Sequence, residues 1–156
     1  MRLIKNSNLV DTDWVFTNQA DYSPRGEKQI LPFKIFAENP SLYYSSQTPL
    51  GVQIKADCDL EEISRYFSKI SLIVIEFTSF ADGRGFSIAR RLRDSFGYRG
   101  EIWAGGHLFA DQYPLAVQCG IDAVVIDESL LQRQPLAHWQ EAISAHPAFM
   151  SAELAS

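Results

Sequence analysis

From Leu50 onward the chain alternates short, almost uninterrupted apolar runs with segments of helical period, and this beat restricts the available folds more than any other feature. The runs are LGVQI (50–54), SLIVIEF (71–77), EIWAG (101–105) and DAVVID (122–127). Each is rich in β-branched residues and apolar on both faces, so each predicts a strand that must be covered on both sides. Between them, Leu60, Ile63, Phe67 and Ile70 follow Asp59, which forms an Asp-x-x-Glu variant of the capping box with Glu62. Ile88, Leu92 and Phe96 make the next stripe, with Gly97 placed as its stop. Asp111 opens a short helix through Cys119, with Pro114 in its first turn and Gly120 after it. A fourth helix starts at Pro135 and turns Leu136, Trp139 and Ile143 inward. The order β-α-β-α-β-α-β-α predicts an α/β fold with a four-stranded parallel core, a flavodoxin-like or receiver-like half. Helices would cover both of its faces, with Ile73, Val74, Ile75, Val124 and Val125 at the centre.

The texture differs before Leu50. DTDWVFT and QILPFKIFAEN could each supply a strand, separated by the turn-rich NQADYSPRGEK, and NPSLYYSSQTP reads as a linker or short helix. The expected organisation is an N-terminal β extension and linker at 1–49, a core at 50–146 and a C-terminal tail at 147–156. A chain of 156 residues is about one domain. With 46% apolar residues it is too apolar for disorder.

A net charge of −5 argues against a nucleic-acid or membrane-surface binder, since both need a basic excess. Arg90, Arg91 and Arg93 are the local exception and read first as a solvated helix face. The two cysteines, Cys58 and Cys119, stand far apart with no C-x-x-C spacing. The N-terminus has no long apolar segment, and no run could span a bilayer, so a cytoplasmic protein with reduced thiols is expected.

In an open parallel sheet ligands sit beyond the carboxyl ends of the strands. Asp57 and Cys58 follow the first core strand, and Asp82 and Arg84 follow the second, which carries Glu76. His107 and Asp111 follow the third, and Asp127 the fourth. Glu76, His107, Asp111 and Asp127 are therefore the rim candidates for an acid, base or ligand. The loop Asp82, Gly83, Arg84, Gly85 is the candidate anion site, because glycine lets an oxyanion approach helix N–H groups and arginine can clamp it. Turn and cap chemistry explains the same residues without any ligand. No Walker loop, complete dinucleotide fingerprint, nucleophile elbow or dense metal-ligand set is present, so no cofactor, metal or catalytic residue is assigned. A receiver domain would need an aspartate where Glu76 stands and a lysine where Asp127 stands, which excludes an active phosphoacceptor.

The stretches LGVQIKADCDL, IEFTSFADGRGFSIARRLRDSFGYRGEIWA and DQYPLAVQCGIDAVVI carry a further signal. Over about Leu50 to Ile126 the chain resembles an uncharacterised bacterial family of unknown function, typically encoded beside the assimilatory sulfite reductase haemoprotein. The resemblance implies a role in sulfur assimilation, with the reductase as partner, and relatives carry an oxidoreductase label. It supplies no catalytic residue to carry over. Where the family is expected to read G-D-V-L-R-D-Q, this chain has Gly106, His107, Leu108, Phe109, Ala110, Asp111 and Gln112, so no acid–base mechanism is carried to that loop.

Three functions follow as expectations. The first is a non-catalytic accessory protein of sulfite reduction, in which Arg84, Arg90, Arg91 and Arg93 contact the reductase. Two cysteines cannot hold a four-cysteine cluster, so the sirohaem and cluster chemistry would belong to the partner. The second is a small anion-binding protein or enzyme working at the strand-end rim. The third is a self-associating scaffold, a homo-oligomer.

Overall fold

The computed structural model describes residues 1–44 and 48–146; the tail expected at 147–156 lies outside them. One eight-stranded sheet organises the chain, in the order β2-β1-β8-β7-β6-β5-β4-β3. Its strands are β1 (Arg2–Lys5), β2 (Asn8–Asp11), β3 (Trp14–Phe16), β4 (Lys28–Pro32), β5 (Leu50–Ile54), β6 (Ile70–Phe77), β7 (Glu101–Gly106) and β8 (Ala123–Ile126). Strands β3 to β8 run parallel, and β1 joins β8 antiparallel as half of a hairpin with β2. The fold is α/β, as the alternation predicts, but it is not a four-stranded parallel core. The N-terminal residues supply β1 to β4, extending the sheet at both edges.

Seven short helices connect or follow the strands among the described residues. They are α1 (Phe33–Glu38), α2 (Ser41–Tyr44), α3 (Leu60–Ser64), α4 (Arg84–Asp94), α5 (Tyr113–Gln118), α6 (Glu128–Arg133) and α7 (Leu136–Ser144), and a 3-10 turn at Ala110–Gln112 leads into α5. None of the described helices is long and apolar enough to cross a membrane. The stripe Leu60 to Ile70 predicts one helix; instead α3 ends at Ser64, and Ile70 is the first residue of β6. Gly97 and Gly120 take the positive φ expected of helix stops, at 66° and 94°. Tyr98 N–H reaches back to Leu92 C=O at 2.8 Å, closing the end of α4.

The expectation of helices on both faces fails for a topological reason. Strands β3 to β8 lie in sequence order without a reversal, and right-handed crossovers wound in one direction place every helix on the same side. The larger core accordingly joins Ile73, Ile75, Ile102, Val124 and Ile126 from the strands to Phe36, Ile63, Leu92, Ala116 and Trp139 from the helices. The second core consists of strand residues alone: Leu3, Ile30, Leu72, Val74, Trp103 and Ala123, with Val10, Trp14 and Val125 against them. Helices therefore cover one face, and the other covers itself by curling.

The linkage between the edges requires that curl. Eight strands laid flat would hold β2 and β3 about 34 Å apart at the usual strand spacing. Only Thr12 and Asp13 join them, a reach of about 11 Å. Trp14 from one edge meets Trp103 from the middle of the sheet edge-on, with ring centroids 6.3 Å apart. Gly51 leaves the space: a Cβ there would lie 3.0 Å from Ile30 and 3.1 Å from the Trp14 ring. Trp103 Nε1 donates to Glu101 at 2.6 Å, and Lys5 Nζ donates to the other Glu101 oxygen at 2.7 Å. Burial works to raise the Glu101 carboxyl, but those hydrogen bonds and the Lys5 and Lys28 charges outweigh it and hold it below the usual carboxylate range.

The outer arginine row contains one residue with an internal task. Arg93 donates to the carbonyl oxygens of Tyr98, Gly100 and Gly120 at 2.7–3.1 Å and to Asp122 Oδ2 at 2.8 Å. It thus ties the end of α4 to the segments entering β7 and β8. Arg93→Ala, which strips half-buried carbonyls of their donor, should cost about 2 kcal/mol and lower Tm by several degrees. Arg90→Ala and Arg91→Ala should leave Tm within about a degree; thermal melts of the three variants read the difference.

Candidate functional site

The parallel strands deliver their carboxyl ends to one rim, which carries a cleft beside β4 and β5 and a groove between α4 and α5. Side chains alternate along β6, so Ile73, Ile75 and Phe77 face the helices. Val74 faces inward, and Glu76, two residues on, shares that side at the mouth of the curl, paired in register with Gly105 of β7. A cleft of about 450 Å³ opens at this rim, with Gln53, Lys55 and Glu76 on its strand side and Lys34 of α1, Cys58 and Glu62 of α3 on its helix side. Burial, followed by the charges of Glu62, Asp59 and Asp57, pushes the Cys58 thiol up to about 11. Cys58 is therefore a neutral thiol at neutral pH, despite standing in a strand-to-helix turn beside a cleft.

The Asp82–Gly85 loop is a turn closed on itself. Asp82 Oδ1 accepts from the Arg84 backbone N–H at 3.1 Å and from Arg84 Nε at 2.9 Å, while Oδ2 accepts from Arg84 Nη2 at 2.8 Å and Thr78 Oγ1 at 3.2 Å. The Arg84 hydrogen bonds hold the Asp82 carboxyl well below the ordinary carboxylate range. The acid that starts the motif thus occupies the guanidinium that would clamp an anion. Neither glycine has positive φ. Gly85 is needed for space, since a Cβ there would come within 2.5 Å of the Phe77 ring, whereas Gly83 would meet nothing closer than 3.9 Å.

The remaining rim candidates are distributed among separate tasks. Asp127 caps α6, its Oδ1 accepting from Leu130 N–H at 2.7 Å. Asp111 is exposed within the 3-10 turn. His107 stands edge-on to Phe80, with ring centroids 5.1 Å apart. Among the described residues no group of three or more His, Cys, Asp or Glu side chains is placed to hold a metal ion.

Sequence reasoning missed the groove. Phe80 stacks on Phe109 with centroids 3.9 Å apart and planes 15° from parallel. Beside them a groove of about 620 Å³ runs between α4 and the 3-10 turn with α5, lined by Phe80, Phe86, Arg90, Arg91, Leu115 and Cys119 among others. Phe109 and Leu115 are 43% and 42% exposed. Gln112 Nε2 donates to Phe80 C=O at 3.2 Å, fastening one wall to the other. The available signal was that Phe80, Phe109 and Leu115 are large apolar residues lying off every predicted stripe. Arg90 and Arg91 line this face with exposed positive charge, whereas Arg84 is paired with Asp82 and Arg93 is directed into the fold.

Two measurements follow from this geometry. Gly85→Ala should destabilise by about 1–3 kcal/mol through collision with Phe77, despite alanine's better helix propensity. Gly83→Ala should be nearly neutral in the same denaturant titration. Alkylation of Cys58 by iodoacetamide at pH 8 should run about tenfold slower than that of a free thiol in a Cys119→Ala background. Scarcer thiolate outweighs its greater nucleophilicity, and the rate should climb steadily toward pH 11.

Comparison with known proteins agrees with the motif reading. No curated protein matches the chain. A family model described as bacterial protein of unknown function (DUF934) matches residues 51–151, a span running from β5 through the Asp82–Gly85 loop and the groove to beyond α7. The chain therefore belongs to the DUF934 family of bacterial proteins of unknown function.

Proposed function

We propose that this chain is a non-catalytic accessory protein of assimilatory sulfite reduction, a docking, electron-delivery or maturation partner of the reductase haemoprotein. The observation carrying this reading is the outer face of α4 and α5, where exposed arginines flank an apolar groove on an otherwise acidic protein. Surfaces of that kind steer and hold a partner: charge brings it in, and buried apolar anchors set its residence time. The resemblance to a family expected to be encoded beside the reductase is what suggests that partner.

The polar rim residues fit the same reading. Asp82 is committed to Arg84, Asp127 to the start of α6 and Asp59 to the start of α3. Chemistry at the rim would need a freer acid or base, and Glu76 in the cleft beside α1 and α3 is the group best placed for it. That cleft, with Lys34 and Lys55 beside Glu76 and Asp57, favours a second reading as a small anion-binding protein or oxidoreductase working at the carboxyl ends of the strands.

Deleting the gene should slow growth on sulfate or sulfite, with cysteine restoring it, and the reductase should co-purify with the tagged protein at low salt. If sulfate growth is intact and no reductase co-purifies, the accessory reading is wrong and the cleft reading replaces it.

A further inference from the structure

We infer that the groove between α4 and α5 receives an acidic segment of a partner protein, held by one bulky apolar side chain set against Phe80 and Leu115. The inference rests on reading the chain as a partner-binding protein, but not on which protein the partner is.

Phe109 and Leu115, two of the large apolar side chains left exposed among the described residues, stand on this one surface and are linked through the stacked, half-buried Phe80. Leaving both in water withholds apolar burial that a monomer gains nothing by forgoing, and a bound side chain would recover it. The volume, about 620 Å³, suits one or two anchoring side chains, and the groove is an open trough that a passing segment can enter from its side.

Charge narrows the occupant to an acidic one. Arg90 and Arg91 line the trough, and Arg90 Nη2 lies 3.7 Å from Cys119 Sγ, directing its guanidinium across the floor. Arg84 adds less, because Asp82 neutralises it. Two arginines on a chain of net charge −5 give a local attraction suited to a few carboxylates, while a nucleic-acid backbone would meet repulsion from the rest of the surface. The walls are set before binding: Gln112 fastens the 3-10 turn to Phe80, and Gln134 Oε1 accepts from Ala110 N–H behind it. Little ordering is then needed when a segment arrives.

The test uses the full chain and three fluorescent peptides: a Glu-rich peptide centred on one Phe, the same peptide with Ala for Phe, and a Lys-rich counterpart with the Phe retained. The Glu/Phe peptide should bind at least about tenfold tighter than either control and weaken as salt rises. Leu115→Asp and the double variant Arg90→Glu, Arg91→Glu should each lose about tenfold or more in affinity at unchanged Tm, while Arg133→Glu, on α6, should not. Equal binding of the three peptides, or Leu115→Asp binding like the parent, overturns the inference. So does preference for a single-stranded oligonucleotide, or self-association of the parent that Leu115→Asp abolishes, which would make the occupant a second copy. The two readings separate cleanly. Reductase co-purifying equally with parent and Leu115→Asp sinks the groove and leaves the accessory role standing. Peptide binding through the groove with no reductase recovered sinks the accessory role and leaves the groove.

Discussion

The two-residue link between β2 and β3 is the constraint on which the rest of this structure depends. Joining the two edges of an eight-stranded sheet through Thr12 and Asp13 leaves no flat solution. The sheet curls, and the curl creates an inner face that no helix can reach. That face has to be filled by its own strands, with two tryptophans as the largest pieces and Gly51 giving one of them room. Filling a narrow interior with tryptophan brings an indole N–H inside, and a buried donor without a partner is costly. Glu101, half-exposed at the edge of this interior, accepts it, and Lys5 pairs with the same carboxylate. Because this carboxyl titrates lower in the folded state, its contribution to stability is complete above the ordinary carboxylate range and disappears as pH falls below it.

The same constraint arranges the functional surfaces. In a doubly wound sheet the reversal of strand order opens a crevice, and ligands bind there. With no reversal, that crevice does not form. The carboxyl rim instead carries Glu76 at one place and the Asp82–Gly85 loop, His107 and the 3-10 turn at another. Residues that a strand-end reading gathers into one site therefore belong to two surfaces of different character. One, where Glu76 stands between the strand ends and helices α1 and α3, is a mixed-charge cleft suited to a small molecule. The other is apolar and cationic, suited to a protein.

What was legible in the sequence was local. Strands β5 to β8 announce themselves because burial on both faces makes them continuous apolar runs, and the glycines ending α4 and α5 take the backbone angle their positions imply. Strand order is not written in such a pattern, so the side on which the helices pack was not legible either. The β1–β2 hairpin stayed hidden because its turn is Asn6-Ser7, both at positive φ, in place of the Asn-Gly pair that marks such turns. In the rim, residue type located Asp82 and Arg84 but could not show that they would satisfy each other. The groove escaped because its lining comes from two segments distant in sequence, Phe80 with α4 and Gln112 to Cys119, and its apolar residues Phe80 and Leu115 fit no period.

Arg90, Arg91 and Arg93 show how narrow the margin is between a structural and a recognition residue. All three lie in four consecutive positions of one helix, where each step turns the side chain by about 100°. Arg93 comes to the side where the chain enters β7 and β8, and there a guanidinium is worth more as a donor to three carbonyls than as a free charge. Arg90 and Arg91 turn toward the groove, where the neighbours are Phe80, Leu115 and Cys119, and no carbonyl cluster competes for them. Composition alone would count three equivalent positive charges. The helix assigns one to holding the sheet's entry strands together and leaves two exposed along the groove, so the arginine row supports both the curled sheet and the surface beside it.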